Sequence, residues 1–309
     1  MYLHNDTIVP HAGLDQGADP YDPAIYDRYT LTDYSPDLMF REIITFIDSC
    51  RDGPFFLYWA TPVPHLALQA PAEWIKHYTE KFGDEKPYTG DQGYFPARYP
   101  HATYAAMISY LDEQIGKLVG HLKDLGLYDN TVILFSSDNG PAWNAGTDPD
   151  WFGSSSPFRV DYGYGKGFLN ERGIRIPLIV SWPGVTEPGS VSDHISAFWD
   201  ILPTLCDVSV SVTPSECDGI SFLPTLKGQK QSLHDYLYWE FPEYGGQQAV
   251  IMGNMKAIRK GMQNGNNIFE LYDLDSDPGE IHDIAAEHQD IITRAKEIVD
   301  REHQPSTNP

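Results

Sequence analysis

The chain has 309 residues, enough for one large α/β domain or a large domain with a smaller one, and 41% of them are hydrophobic, which excludes global disorder. Lys and Arg total 21 against 44 Asp and Glu, a formal charge of −23, so the chain repels nucleic acid and anionic membrane surfaces and neither is expected as a partner. Three cysteines, Cys50, Cys206 and Cys217, make neither a disulfide framework nor a zinc cluster, although one pair stays open, and no run reaches the roughly 18 apolar residues of a membrane span.

Met1–Asp6 lacks the basic start and apolar stretch of a signal peptide and reads as the middle of a domain. Asp19-Pro20-Tyr21-Asp22-Pro23 reads as loop. Ser35 or Asp37 is placed to cap a helix over 36–50 with Leu38, Ile43, Ile44 and Ile47 at helical spacing. Phe55–Ala60 is a continuous apolar run of strand length, the pattern of a strand covered on both faces. Thr61-Pro62-Val63-Pro64 ends it and leaves His65 on a loop at its carboxyl end. Residues 71–103 read as mostly irregular. Met107, Leu111, Ile115, Leu118 and Leu122 predict a helix over 103–125, stopped at Gly126. Val132–Phe135 is a second buried strand, and helix followed by buried strand, twice over, predicts parallel strands with crossover helices. A strand over 177–182, a helix over 196–208 and a linker with a short helix over 218–230 follow. Short strands at 237–241, 249–252, 255–259 and 269–274, some separated by Gly-Gly and Asn-Gly turns, predict a small antiparallel sheet with a helix over 291–303 packed on it.

The chemistry centres on 131–177. The strand ending at Phe135 runs into Ser136-Ser137-Asp138-Asn139-Gly140-Pro141, and an acid and an amide at the carboxyl edge of a sheet are where α/β enzymes present ligands. Asp138 and Asn139 offer hard oxygens that suit calcium or magnesium rather than zinc; they equally suit a simple turn in which Gly140 takes positive φ. Lys166, between Gly165 and Gly167, is a cation on a loop that can approach an oxyanion, or a solvated surface lysine. His65 can donate to an oxyanion or protonate a leaving oxygen, or cap a backbone group. Glu171 and Arg175 are four apart and read as a structural pair, and Asp193-His194 as a capping feature.

Taken together these segments resemble the C-terminal two-thirds of a type I sulfatase, of the arylsulfatase kind in the alkaline-phosphatase-like superfamily. Phe55–Ala60 through Pro64-His65, Tyr104-Ala105-Ala106-Met107-Ile108 through Asn130-Thr131, Ser137-Asp138-Asn139-Gly140, and Gly165-Lys166-Gly167 through Gly173-Ile174-Arg175-Ile176-Pro177 occur in family order. Asp200-Ile201-Leu202-Pro203-Thr204, Asp218-Gly219-Ile220-Ser221-Phe222 and Leu271-Tyr272-Asp273-Leu274 through Asp277-Pro278-Gly279-Glu280 continue it. The resemblance implies an α/β fold with a mixed, mainly parallel sheet flanked by helices. An incomplete core over 1–230 would carry a small antiparallel α+β subdomain over 231–309. It implies sulfate monoester hydrolysis, with Asp138 and Asn139 as calcium ligands (magnesium the lesser choice). Lys166 and His65 would bind the sulfate, and His65 would assist the departing alcohol. The substrate would be a small-molecule or glycan sulfate ester, and a full-length relative would be periplasmic or extracellular. Phosphodiester or phosphonate monoester hydrolysis is the alternative activity within the superfamily, against which Asn139 argues; a non-catalytic binder of sulfated glycan is the third reading.

The chain departs from the family pattern in its nucleophile motif, its aspartate pair and the lysine-x-histidine element that follows the nucleophile. In the family a formylglycine made from Cys or Ser in Cys-x-Pro-Ser-Arg attacks sulfur, and no such motif occurs here: Cys50 precedes Arg51-Asp52-Gly53, Cys206 precedes Asp207-Val208-Ser209, and Cys217 precedes Asp218-Gly219-Ile220. The family's aspartate pair is absent too, since no Asp-Asp dipeptide occurs. These elements belong to an N-terminal segment, so the N-terminal strands are expected to be missing from the sheet, leaving an exposed apolar gap. A separately encoded N-terminal half is a candidate partner.

Overall fold

The computed structural model describes residues 2–3, 13–30 and 32–305. The reading of residues 1–6 falls outside these, apart from the backbone of Tyr2–Leu3. The chain forms two compact units: Met1–Asn130 with Trp143–Asp148, and Thr131–Ala142 with Pro149–Pro309.

The first unit is helical. A two-residue strand β1 (Tyr2–Leu3) pairs antiparallel with β2 (Asp33–Tyr34), and α1 (Ser35–Cys50) follows. Neither Ser35 nor Asp37 caps it: the N-cap is Tyr34, without a side-chain bond, and Pro36 in the first turn needs no amide partner. Ile43 and Ile47 are buried, while Leu38 and Ile44 are half-buried. α2 (Ala72–Phe82) occupies part of the stretch expected to be irregular. Trp74, Ile75 and Tyr78 pack from it onto Ala106 and Met107 of α3 (Pro100–Asp124), together with Val63, Leu68 and Ala97. Glu85 caps α3, accepting from the amides of His101 at 2.8 Å and Ala102 at 3.0 Å. At the far end Gly126, at φ +69°, lets Leu127 N donate back to Leu122 O at 2.8 Å, the stop expected at this glycine.

The run Phe55–Ala60 corrects an expectation. It is not covered on both faces. Phe55 and Trp59 meet Phe46 and Phe40 of α1 at ring separations of 6.1 and 6.0 Å, but Phe56 and Tyr58, pointing the other way, are 70% and 75% exposed. No strand pairs with it among the described residues, where its only backbone–backbone bond is Thr61 N to Trp59 O. The pattern is that of a buried strand; the neighbours that would bury it are not among the described residues.

The second unit contains β3 (Ile133–Ser136) and β4 (Leu178–Ser181), in the register Ile133↔Ser181 to Ser136↔Leu178. They are antiparallel, as is every strand pair among the described residues; the parallel expectation concerned Phe55–Ala60 and Val132–Phe135, not this pair. The 137–177 connection holds only the short helices α4 (Pro149–Phe152) and α5 (Glu171–Ile174), not a crossover helix, so the chain returns in the opposite sense. An antiparallel pair of this kind is common at the edge of mainly parallel sheets. After α6 (Ile201–Val208) and α7 (Leu223–Leu226), the strands β5 (Leu237–Phe241), β6 (Gln247–Met252), β7 (Met255–Lys260) and β8 (Glu270–Asp273) form the expected antiparallel meander in sequence order. α8 (Gln289–Glu302) lays Ile292, Ala295, Ile298 and Val299 on Val250, Ala257 and Leu271. Burying each large aliphatic side chain here is worth about 1.5–3 kcal/mol.

Candidate functional site

In the second unit, β3 ends at Ser136 and the next residues turn sharply. Gly140 is required there, but not for a positive φ as expected. A Cβ on it would lie 1.7 Å from the carbonyl oxygen of Arg172, so only glycine lets the two loops touch. Two backbone hydrogen bonds close the contact: Gly140 N donates to Gly173 O at 2.9 Å and Lys166 N to Pro141 O at 2.9 Å. The acid–amide turn and the lysine loop, nearly thirty residues apart in sequence, are therefore one structure.

The side chains on it are unspent. Asp138 is exposed, and among the described residues its carboxylate has no hydrogen-bond or ionic partner. Asn139 donates its Nδ2 to Gly140 O at 2.9 Å, leaving its Oδ1 free. Lys166 is half-buried and makes no ion pair among the described residues. The two residues fit a hard cation in kind, a carboxylate beside an amide oxygen, but a calcium ion takes about 6–8 oxygens. Among the described residues no group of three or more His, Cys, Asp or Glu could complete the set.

The lysine loop is held from the meander by residues that the sequence reading missed. Gln247, fully buried at the start of β6, donates its Nε2 to Gly167 O at 2.9 Å and accepts from Leu169 N at 3.2 Å, as a neighbouring strand would. Lys256 of β7, fully buried, stands 2.9 Å from both Glu171 Oε1 and Glu280 Oε1; it donates a hydrogen bond to the first, and its contact with the second is ionic. Glu280 also accepts from Glu171 N at 2.8 Å. The expected Glu171–Arg175 pair is present at 3.5 Å but is the weaker of Glu171's contacts. Arg172 is buried, its Nε donating to Ser155 Oγ at 3.0 Å, and burial pushes its pKa down. A lysine within a strand and a glutamine just after a Gly-Gly turn were the available signals; in a meander with one wet face both read as solvent-facing.

His65 lies in the first unit, on an exposed loop. Its Nδ1 stands 2.8 Å from Leu66 O, which fixes a proton there and leaves Nε2 as the ring nitrogen open to a ligand; its ring meets Tyr94 edge-on at 6.3 Å. Asp193-His194 is no helix cap. Instead the ring nitrogens of His194 are buried without a partner among the described residues, and desolvation pushes its pKa below the ordinary histidine value. Nearby Asp200 accepts from Ala197 N, Ile220 N and His234. All three cysteines are free.

Comparison with known proteins gives the family. The sulfatase family profile matches residues 5–209, and that of the N-sulphoglucosamine sulphohydrolase C-terminal region matches 161–304. The mouse N-acetylgalactosamine-6-sulfatase is 28% identical over 304 residues, covering 87% of this chain and 52% of its own length. The N-acetylgalactosamine-6-O-sulfatase of Bacteroides thetaiotaomicron is 27% identical, covering 85% and 50%. Among solved structures, Ps i-CgsB in complex with k-i-k-neocarrahexaose superposes with a TM-score of 0.72 at 26% identity, over 87% of this chain and 55% of that one. The chain spans about half the length of these relatives. With two-thirds of its residues inside the family profile and the alkaline-phosphatase-like α/β fold of its structural neighbours, the chain belongs to the sulfatase family.

Proposed function

We propose that this chain carries the oxyanion-binding half of a sulfate-ester hydrolase for sulfated glycans, and that it does not turn over by itself. The observation that supports this most is the pair of backbone hydrogen bonds that gather two hard-oxygen donors and an unpaired lysine on one loop cluster. Lys166 neutralises a sulfate oxygen. The family resemblance gives His65, in the first unit, the role of proton donor to the departing alcohol; with Nδ1 committed to Leu66 O, its Nε2 is the nitrogen that could serve it. Asp138 and Asn139 would supply two of the oxygen ligands of a calcium ion, which when bound would add fixed positive charge beside the sulfate.

The nucleophile and the carboxylates opposite the cation come, in this reading, from residues outside these 309, on the same polypeptide or in a separately encoded N-terminal half. The exposed run Phe55–Ala60, apolar and unpaired, is a surface on which such a segment could add a strand. A core over 1–230 with a subdomain over 231–309, and action in the periplasm or outside the cell, belong to the same reading.

Titration calorimetry of the purified chain with inorganic sulfate in the presence of calcium tests it. Saturable binding that weakens by about tenfold or more in Lys166→Ala is expected for loss of a charged hydrogen-bond donor. Equal binding by both proteins would remove Lys166, and with it the reading, from consideration.

A further inference from the structure

The β5–β6 turn places an aromatic ring against the lysine loop by an unusual backbone. Tyr244 has φ +52°, in the left-handed region that costs a side-chain-bearing residue free energy, and Gly245 and Gly246 continue the excursion at +87° and +80°. The turn is pinned there: Gly261 N donates to Gly246 O at 2.8 Å, Gln263 N to Gly245 O at 2.9 Å, and Gln263 Nε2 to Pro242 O at 2.7 Å. The result is a ring lying over Gly167, the residue next to Lys166, so closely that a Cβ on Gly167 would meet Tyr244 Cε2 at 2.7 Å.

Tyr244 stacks on Phe168 with centroids 5.0 Å apart and planes 26° from parallel, and Tyr162 meets the other side of the cluster edge-on at 6.0 Å from Phe168. Tyr244 also meets Phe241 at 6.4 Å, yet these contacts leave much of its ring in solvent. Tyr244 is 58% exposed and Tyr162 71% exposed, and among the described residues neither hydroxyl has a hydrogen-bond partner. Strained backbone that holds a solvent-facing ring gains little stability from burial. Such strain gathers at ligand clamps.

We propose that Tyr244, backed by Phe168 and flanked by Tyr162, is the stacking platform for the sugar ring that bears the sulfate, a hexopyranose whose C–H face lies on the tyrosine while Lys166 takes the sulfate oxygens. The inference rests on the reading of Lys166 as the sulfate-binding cation. A sulfate ester lies a few bonds from its ring, so a ring whose sulfate meets Lys166 passes over the residues beside it. The platform is wide, apolar in the middle and carries hydroxyls at its rim, as sugar faces require. A protein partner on this patch would need no adjacent cation.

The experiment compares two ligands on four proteins. Titration calorimetry with inorganic sulfate and with a 6-O-sulfated N-acetylhexosamine, in calcium, is run on the wild type, Tyr244→Ala, Tyr244→Phe and Lys166→Ala. Tyr244→Ala is expected to weaken the sulfated sugar by about tenfold and to leave inorganic sulfate unchanged, while Tyr244→Phe keeps most of the sugar affinity. Lys166→Ala weakens both ligands. Unchanged sugar affinity in Tyr244→Ala overturns the platform while leaving the lysine site standing, whereas unchanged sulfate affinity in Lys166→Ala overturns the site beneath it. Equal loss of both ligands in Tyr244→Ala would also overturn the platform, by making Tyr244 a support for the loop.

Discussion

Two β-rich regions of this chain have similar apolar sequences and opposite fates. In the meander β5–β8, Val250, Ala257 and Leu271 are fully buried beneath α8, and even Lys256 is enclosed and paired. In Phe55–Ala60 and the β3–β4 pair, by contrast, Phe56 and Tyr58 face solvent and Ile179 is 61% exposed. The difference is not propensity. The meander finds its neighbours within the same unit: α8 covers Val250, Ala257 and Leu271, while Leu169 and Ile174 pack on Ala249, Ile258 and Tyr272 and Glu171 pairs with Lys256. The other strands have one covered face or one paired edge, and the partners for the rest are not among the described residues. Apolar sequence specifies that a strand is to be buried; only the presence of the neighbour buries it.

Substitutions on either side test this contrast. Lys256→Met should cost the most, about 3–5 kcal/mol in urea unfolding, because it leaves Glu171 and Glu280 buried side by side without their counter-ion. Leu271→Ala, in the same sheet, should cost about 2–5 kcal/mol through the cavity left beneath α8. Gln247→Leu strands Gly167 O and Leu169 N and should cost about 1–3 kcal/mol, with faster amide exchange confined to the lysine loop. His194 supplies a smaller, pH-dependent effect. Desolvation holds its pKa below its ordinary 6.5, so the unfolded chain takes up a proton first as pH falls. Stability should therefore fall from about pH 6.5 downward, and His194→Leu should lose less than the wild type over that window when melting temperature is followed against pH. The double substitution Phe56→Ser with Tyr58→Ser should move stability least, within about 0.5 kcal/mol, while reducing self-association in sedimentation. A large loss there would mean that the run is already covered.

The sequence made some of this legible and not the rest, for physical reasons. The long helix around Met107 and Leu122 and its stop at Gly126 follow from local periodicity and capping, and so do the four strands of the meander. The β3–β4 pairing does not, because nothing local to either strand names its partner. α2 was lost among prolines, glycines and tyrosines although Trp74, Ile75, Tyr78 and Phe82 carry its spacing. Of the candidate site, Asp138, Asn139, Lys166 and His65 stood out by residue type and neighbours. What could not be read was their support. Gly140 is needed for a contact with Arg172 far along the chain, and Gln247, Lys256 and Tyr244 act on the lysine loop from a sheet some eighty residues later.

The central claim is that these 309 residues hold binding groups without the nucleophile they serve. It is tested most directly by incubating the purified chain with an aryl sulfate and calcium and measuring released phenol against enzyme concentration. The account predicts no release beyond the uncatalysed rate from a preparation that binds sulfate. Sustained release of many equivalents per chain, lost in Lys166→Ala, would contradict it and would place a nucleophile among the residues described.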